Sequence, residues 1–166
     1  MTTRREALRQ HSSLARPGGA SVAYRVRSPG APDGAPLLLI HGLASNGSRF
    51  AEFVEQTALA AHHGLIRVDL RGHGDAITRR RIGIDLWCDD LAAVLDAEGA
   101  LAAIAVGHSL GAQVALHFAQ RHPHRCAAMV LIDPVFRSAL RGRRLWLAQA
   151  APVLRLAARL VRALNA

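Results

Sequence analysis

Four short, largely apolar runs, separated by segments of helical period, constrain this chain more than any other feature. Leu37–His41, Leu65–Leu70, Leu101–Val106 and Ala128–Ile132 are too short for helices and too apolar for strands with one wet face. Runs of this kind are strands buried on both sides of a sheet. Between the first two lies a short helix with Phe50, Phe53 and Val54 on one side. Between the next two, Ile84, Trp87, Cys88, Leu91 and Leu95 recur at helical spacing, with Asp85, Asp89 and Asp96 facing out. Leu110 to Arg121 forms a third helix, stopped by Pro123. Strand, helix, strand, helix at this spacing specifies the α/β class, a parallel sheet with helices on both faces.

The segments on either side read differently. The first 20 residues are polar, rich in Arg and end in Pro17-Gly18-Gly19, which suggests a poorly ordered lead-in. From Ser21 the chain alternates, with Val22, Tyr24 and Val26 on one face of a half-buried strand. The stretch from Pro29 to Pro36 is a turn region that holds neither helix nor strand. The core therefore spans residues 21–136, and residues 137–166 form a separate basic segment. There Val153, Leu156, Leu160 and Leu164 share one helical face and Arg155, Arg159 and Arg162 another. Such a helix suits a cap over a pocket, and it also suits an anionic membrane surface.

Composition narrows the function classes. A chain of 166 residues has room for one core, and 51% hydrophobic against 20% charged residues supplies it. Two cysteines, Cys88 and Cys126, exclude a disulfide framework and a four-cysteine metal site, and fit a reducing compartment. No secretory signal is visible in the first 15 residues, and no run of 18 apolar residues occurs, so a cytoplasmic, soluble protein is expected. The net charge of +9 sits at the ends: +5 over residues 1–30, −3 over 31–136 and +7 over 137–166. Every cation is Arg, and the acidic middle holds the chemistry, so nucleic acid is not the expected partner.

That chemistry centres on Gly107-His108-Ser109-Leu110-Gly111, between the third apolar run and its helix. A serine at a sharp strand-to-helix turn is forced into an unusual backbone conformation that points its hydroxyl out of the sheet. The flanking glycines are needed where a side chain would strike the neighbouring strand or helix. The helix N-terminus aims free N–H groups at developing negative charge. An ordinary turn rich in small residues is the plain alternative. Two further segments sharpen the pattern: His41-Gly42-Leu43 closes the first run, and Asp69-Leu70-Arg71-Gly72-His73-Gly74 closes the second.

In order and spacing these three motifs resemble the α/β-hydrolase superfamily, in particular its single-domain esterase, lactonase and perhydrolase type, from about Ser21 to Pro134. The resemblance implies that Ser109 is the nucleophile and that the backbone N–H groups of Leu43 and Leu110 form the oxyanion hole. It also implies that His108 and Leu43 lie near the substrate. Serine at the nucleophile position disfavours the epoxide-hydrolase and dehalogenase branches, which attack with a carboxylate. After Gly74 the family often has a small polar residue, whereas here Asp75 leads into Arg79-Arg80-Arg81, an exposed basic loop. The activity implied is hydrolysis of a carboxylic ester, lactone or thioester of modest size, with no metal or organic cofactor.

A serine hydroxyl needs a base, and the base an orienting acid. In the resembled family both follow the nucleophile, after strands beyond the fourth apolar run. None of the nine histidines matches the catalytic position: His11 lies in the lead-in, His41, His73 and His108 belong to the motif turns, and His62, His63, His117, His122 and His124 read as helix-end or surface residues. His122 and His124 lack a third ligand for a metal. Asp133 ends the fourth run, where some relatives carry their acid and where an Asp-Pro more often just ends the strand. The expected sheet thus lacks the family's last two strands, which leaves Met129–Ile132 as an apolar edge for a second copy or another chain to cover. The expectation is a hydrolase impaired without its base, or a non-catalytic relative that binds a partner or a membrane surface.

Overall fold

The computed structural model describes residues 10–29 and 32–134. The basic segment 137–166 and the first nine residues of the expected lead-in lie outside the described residues. Six strands are found among the described residues: β1 (Gln10–Arg16), β2 (Ala20–Arg27), β3 (Leu37–Ile40), β4 (Leu65–Asp69), β5 (Ala103–His108) and β6 (Cys126–Ile132). The helices are α1 (Ala51–Gln56), α2 (Ile84–Ala97) and α3 (Leu110–Arg121), with single 3-10 turns between elements. The strands make one sheet in the order β1-β2-β4-β3-β5-β6.

The four apolar runs become β3, β4, β5 and β6, all parallel. The sheet as a whole is mixed, because β2 runs antiparallel to β4 and β1 antiparallel to β2. Residues 10–20, expected as part of a poorly ordered lead-in, are therefore a correction: they form β1 and a hairpin turn. Gly18 and Gly19 take φ of 77° and 73°, the left-handed region that glycine enters without steric cost. The strand carries no sequence signature because His11, Ser13 and Ala15 face solvent and Leu14 is its one large apolar side chain. An edge strand needs no more than that, since only one of its faces packs.

Alternation along β3 divides the core. Leu38 and Ile40 join Val22, Tyr24, Val26, Ile66 and Val68 under α2 and α3, where Leu91, Leu95, Val114 and Phe118 are fully buried. Leu37 and Leu39 face the other way, against Phe50, Val54, Leu65 and Val106. This is the two-faced burial expected of a central parallel strand. In α2 the apolar stripe is buried as its spacing implies, and the helix ends on Gly99 at φ 65°. There Gly99 N–H donates to the Asp96 carbonyl and Ala100 N–H to that of Leu95, a Schellman closure.

One boundary shifts: Leu101 is exposed, and β5 begins at Ala103. The β6 strand is an apolar edge, as expected of Met129–Ile132: Met129, Val130 and Ile132 are 42%, 48% and 42% exposed. It pairs only with β5 among the described residues, and a strand with one neighbour leaves part of both faces open.

Candidate active site

The parallel strands deliver four loops to one end of the sheet, the carboxyl end, where open α/β sheets bind ligands. The loop after β5 carries Ser109 at φ 54° and ψ −111°, a strained conformation for a residue with a side chain. Its N–H donates to the Ile132 carbonyl at 2.9 Å, which ties the turn to the end of β6, and its carbonyl accepts from Ala112 N–H at 3.1 Å. Both flanking glycines are required by close approach. A Cβ on Gly107 would lie 2.6 Å from Ala112 N, and one on Gly111 would lie 2.7 Å from the His41 carbonyl oxygen. The turn is thus pressed between its own helix and β3.

The loop after β3 lies against this turn, since a Cβ on Gly42 would be 3.3 Å from Ser109 Cβ. Leu43 follows, with its side chain 73% exposed. Leu110 is the first residue of α3, so its N–H has no carbonyl within the helix to meet. The structure therefore brings the loop that carries Leu43 against the turn that carries Ser109 and Leu110. His108 lies on the α1 face of β5 and lines a cavity of about 550 Å³ with Phe50, Phe53, Thr57 and Ile132. Its Nδ1 is buried without a hydrogen-bond partner among the described residues.

Asp133 is exposed at the end of β6 and takes φ 48°. Among the described residues no histidine hydrogen-bonds the Ser109 hydroxyl. The surface histidines have other partners: His62 contacts Asp33, His117 contacts Asp85 and His122 contacts Asp89.

Three buried polar side chains brace the site; two of them, His41 and Asp69, stand in the motifs without a role assigned from sequence. The first is His41, whose Nε2 accepts from Leu70 N–H at 3.0 Å and whose Nδ1 meets the Gly42 carbonyl at 2.7 Å. Burial lowers its pKa below the ordinary imidazole value, opposed by the Gly42 carbonyl, with the nearby His73 ring adding to the depression. The second is Asp69, which accepts Gly47 N–H at 2.6 Å through one oxygen and Asp75 N–H at 2.9 Å through the other. The third is Asp90 on α2, held by Arg71 through both oxygens at 2.9 and 2.6 Å and by Arg16 of β1 at 2.8 Å. Trp87 Nε1–H completes this group by donating to the Arg71 carbonyl. At helical spacing Asp90 falls beside Trp87 and Val94 on the margin of the buried stripe, away from Asp85, Asp89 and Asp96, and Arg71 and Arg16 together meet its carboxylate.

A family model for the alpha/beta hydrolase fold matches residues 35–165. Among curated proteins, the chain is 37% identical over 126 residues to lipase LipV of Mycobacterium tuberculosis, covering 74% of this chain and 45% of the lipase. It is 33% identical over 121 residues to epoxide hydrolase B of the same species, covering 71% of this chain and 34% of that enzyme. Among solved structures, a hydrolase from Pseudomonas aeruginosa PA01 superposes with a TM-score of 0.71 at 28% identity, over 87% of this chain and 53% of that one. The chain spans less than half the length of the two curated relatives. With the strand-to-helix turn at Ser109 seated as described, the chain belongs to the alpha/beta hydrolase fold family.

Proposed function

We propose that this chain carries the nucleophile and the oxyanion hole of a serine hydrolase that acts on carboxylic esters, lactones or thioesters. The observation that carries the reading is the strained backbone of Ser109 at φ 54°, wedged by Gly107 and Gly111. Strain of this size persists only where the surrounding structure imposes it. In the reaction, Ser109 Oγ bonds to the substrate carbonyl carbon as its proton passes to a base. The carbonyl oxygen takes up negative charge and is held by the N–H groups of Leu43 and Leu110. The bond to the leaving group then breaks, the leaving group takes the proton, and water releases the acyl group from Ser109. The base comes from outside the described residues. His108, in the cavity beside the turn, touches the substrate. A serine nucleophile separates this chain from relatives named for epoxide hydrolysis, because an epoxide is opened by carboxylate attack in the branch this chain departs from. No metal or organic cofactor enters these steps.

Covalent labelling by a fluorophosphonate, read by intact mass beside Ser109→Ala, tests the proposal. An adduct on the wild type alone supports an activated Ser109. The absence of an adduct on either refutes the hydrolase reading for this polypeptide.

A second reading, a non-catalytic module that binds another chain or a second copy of itself, is favoured by the exposed apolar residues of β6. It predicts a defined complex or oligomer, seen by sedimentation, that Ser109→Ala leaves intact and Val130→Lys disrupts.

A further inference from the structure

Among the described residues the Leu43 N–H makes no hydrogen bond. Its side chain is exposed, and the next residue, Ala44, takes φ 53°, a conformation that costs energy for alanine. The loop is held instead at its two ends. At the far end, Asp69 takes up Gly47 N–H, and the fit leaves no room for side chains: a Cβ on Gly47 would lie 2.9 Å from Asp69 Oδ1, and one on Gly74 2.6 Å from Asp69 Cγ. At the near end stands His41, fully buried.

The chemistry of the two His41 contacts fixes its tautomer. The Gly42 carbonyl only accepts, so Nδ1 carries the proton; Leu70 N–H only donates, so Nε2 is bare. The Gly42 carbonyl and the Leu43 N–H belong to the same peptide group, which is planar and trans. Holding the oxygen therefore holds the N–H in the opposite direction. A hydrogen bond to that oxygen also polarises the amide and strengthens its N–H as a donor.

We infer that His41 is a positioning residue that orients the Gly42–Leu43 peptide, and so aims the Leu43 N–H, with Leu70 N–H locking the imidazole in the required tautomer. This rests on the reading of Leu43 as an oxyanion donor. The side chain itself never touches the substrate.

Two substitutions separate positioning from space filling. His41→Asn keeps a donor where Nδ1 stands, and His41→Gln keeps an acceptor near Nε2 but loses the donor to Gly42. In the isotopically labelled full chain, the wild-type His41 is expected to show a protonated Nδ1 and an unprotonated Nε2 by nitrogen NMR. The Leu43 amide resonance should stay near its wild-type position in His41→Asn and move in His41→Gln. Fluorophosphonate labelling of Ser109 should be slower in His41→Gln than in His41→Asn by about ten-fold or more, short of the roughly 100-fold to 1000-fold of losing an oxyanion donor outright, because the N–H is misaimed and not removed. A wild-type His41 protonated on Nε2 overturns the inference without any variant. A Leu43 resonance that His41→Gln leaves unmoved overturns it too. If the wild type takes no label, the hydrolase reading fails, and the two NMR measurements still decide the role of His41.

Discussion

Replacing Gly111 by alanine tests whether α3 is seated on β3 as closely as the site requires. The substitution has a small favourable side, since alanine exceeds glycine in helix propensity by about 1 kcal/mol in a helix interior and less in the first turn. Against it stands the contact. The new Cβ would lie 2.7 Å from both the His41 oxygen and the Ile40 carbonyl carbon, inside the 3.0 Å that such atoms essentially never breach. The struck atoms are backbone at the end of β3, a strand paired on both sides by β4 and β5, so they cannot turn aside as a flexible side chain would. Overpacking of a core costs about 1–3 kcal/mol, and backbone displacement puts this case at the upper end. The net expectation is a loss of about 2 kcal/mol, which lowers the melting temperature of a domain this size by roughly 6 °C. Urea unfolding followed by circular dichroism measures it. Gly83→Ala is the control, because no atom lies within 4 Å of its Cβ and its φ of 173° is ordinary extended backbone. It should change stability by less than about 0.5 kcal/mol. If Gly111→Ala is as stable as the wild type while Gly83→Ala behaves as stated, the close seating of α3 is wrong, and with it the reason for the strain at Ser109.

Asp90→Ala strands the guanidinium groups of Arg71 and Arg16 without their carboxylate, and removing one partner of a buried pair costs about 3–5 kcal/mol. A loss below about 1 kcal/mol in the same urea assay would show that the group is solvated rather than buried. His41 gives stability a pH dependence of known sign. Its folded pKa is depressed, so its contribution is complete above the ordinary value of 6.5 and is lost as pH falls through the lowered value. Unfolding midpoints measured from pH 7.5 down to 5 should decline, and the slope should flatten in His41→Asn; an unchanged slope refutes this assignment. Asp89, held low by Arg121 against its own burial and further by His122, acts in the same sense in a lower window, below the ordinary carboxylate value of 3.8. The Cys88 thiol is pushed up to about 12, first by burial and then by Asp85 and Asp89. A thiol reagent should therefore modify Cys126 in the native protein and reach Cys88 only on unfolding, which mass spectrometry of timed samples checks. Equal native rates at the two positions would contradict the packing of α2.

Much of this was legible in the residues because the governing patterns are local. The largely apolar runs from Leu37, Leu65 and Leu101 read as strands, since each is too short for a helix and has the composition of a buried strand. The glycines about Ser109 announce close approach, because no other residue lacks a Cβ. The helix from Leu110 to Arg121 was bounded by its own Pro123. None of these inferences needs to know what lies across the sheet.

The tertiary structure decided whatever depends on a distant partner. Residues 10–16 carry too little apolar surface to declare a strand, and become one by pairing with β2. Asp90 meets Arg71, 19 residues away in the chain, and Arg16, 74 residues away. His41 looks like any histidine at a strand end until Leu70 N–H, 29 residues on, fixes which of its nitrogens is bare. The β6 strand has the composition of a buried strand, yet stands half open because burial belongs to neighbours and not to sequence. Periodicity and backbone geometry are properties of a segment, and so the sequence by itself determined the fold class and the turn at Ser109. Hydrogen-bond satisfaction and burial are properties of pairs, and only the assembled sheet could decide those.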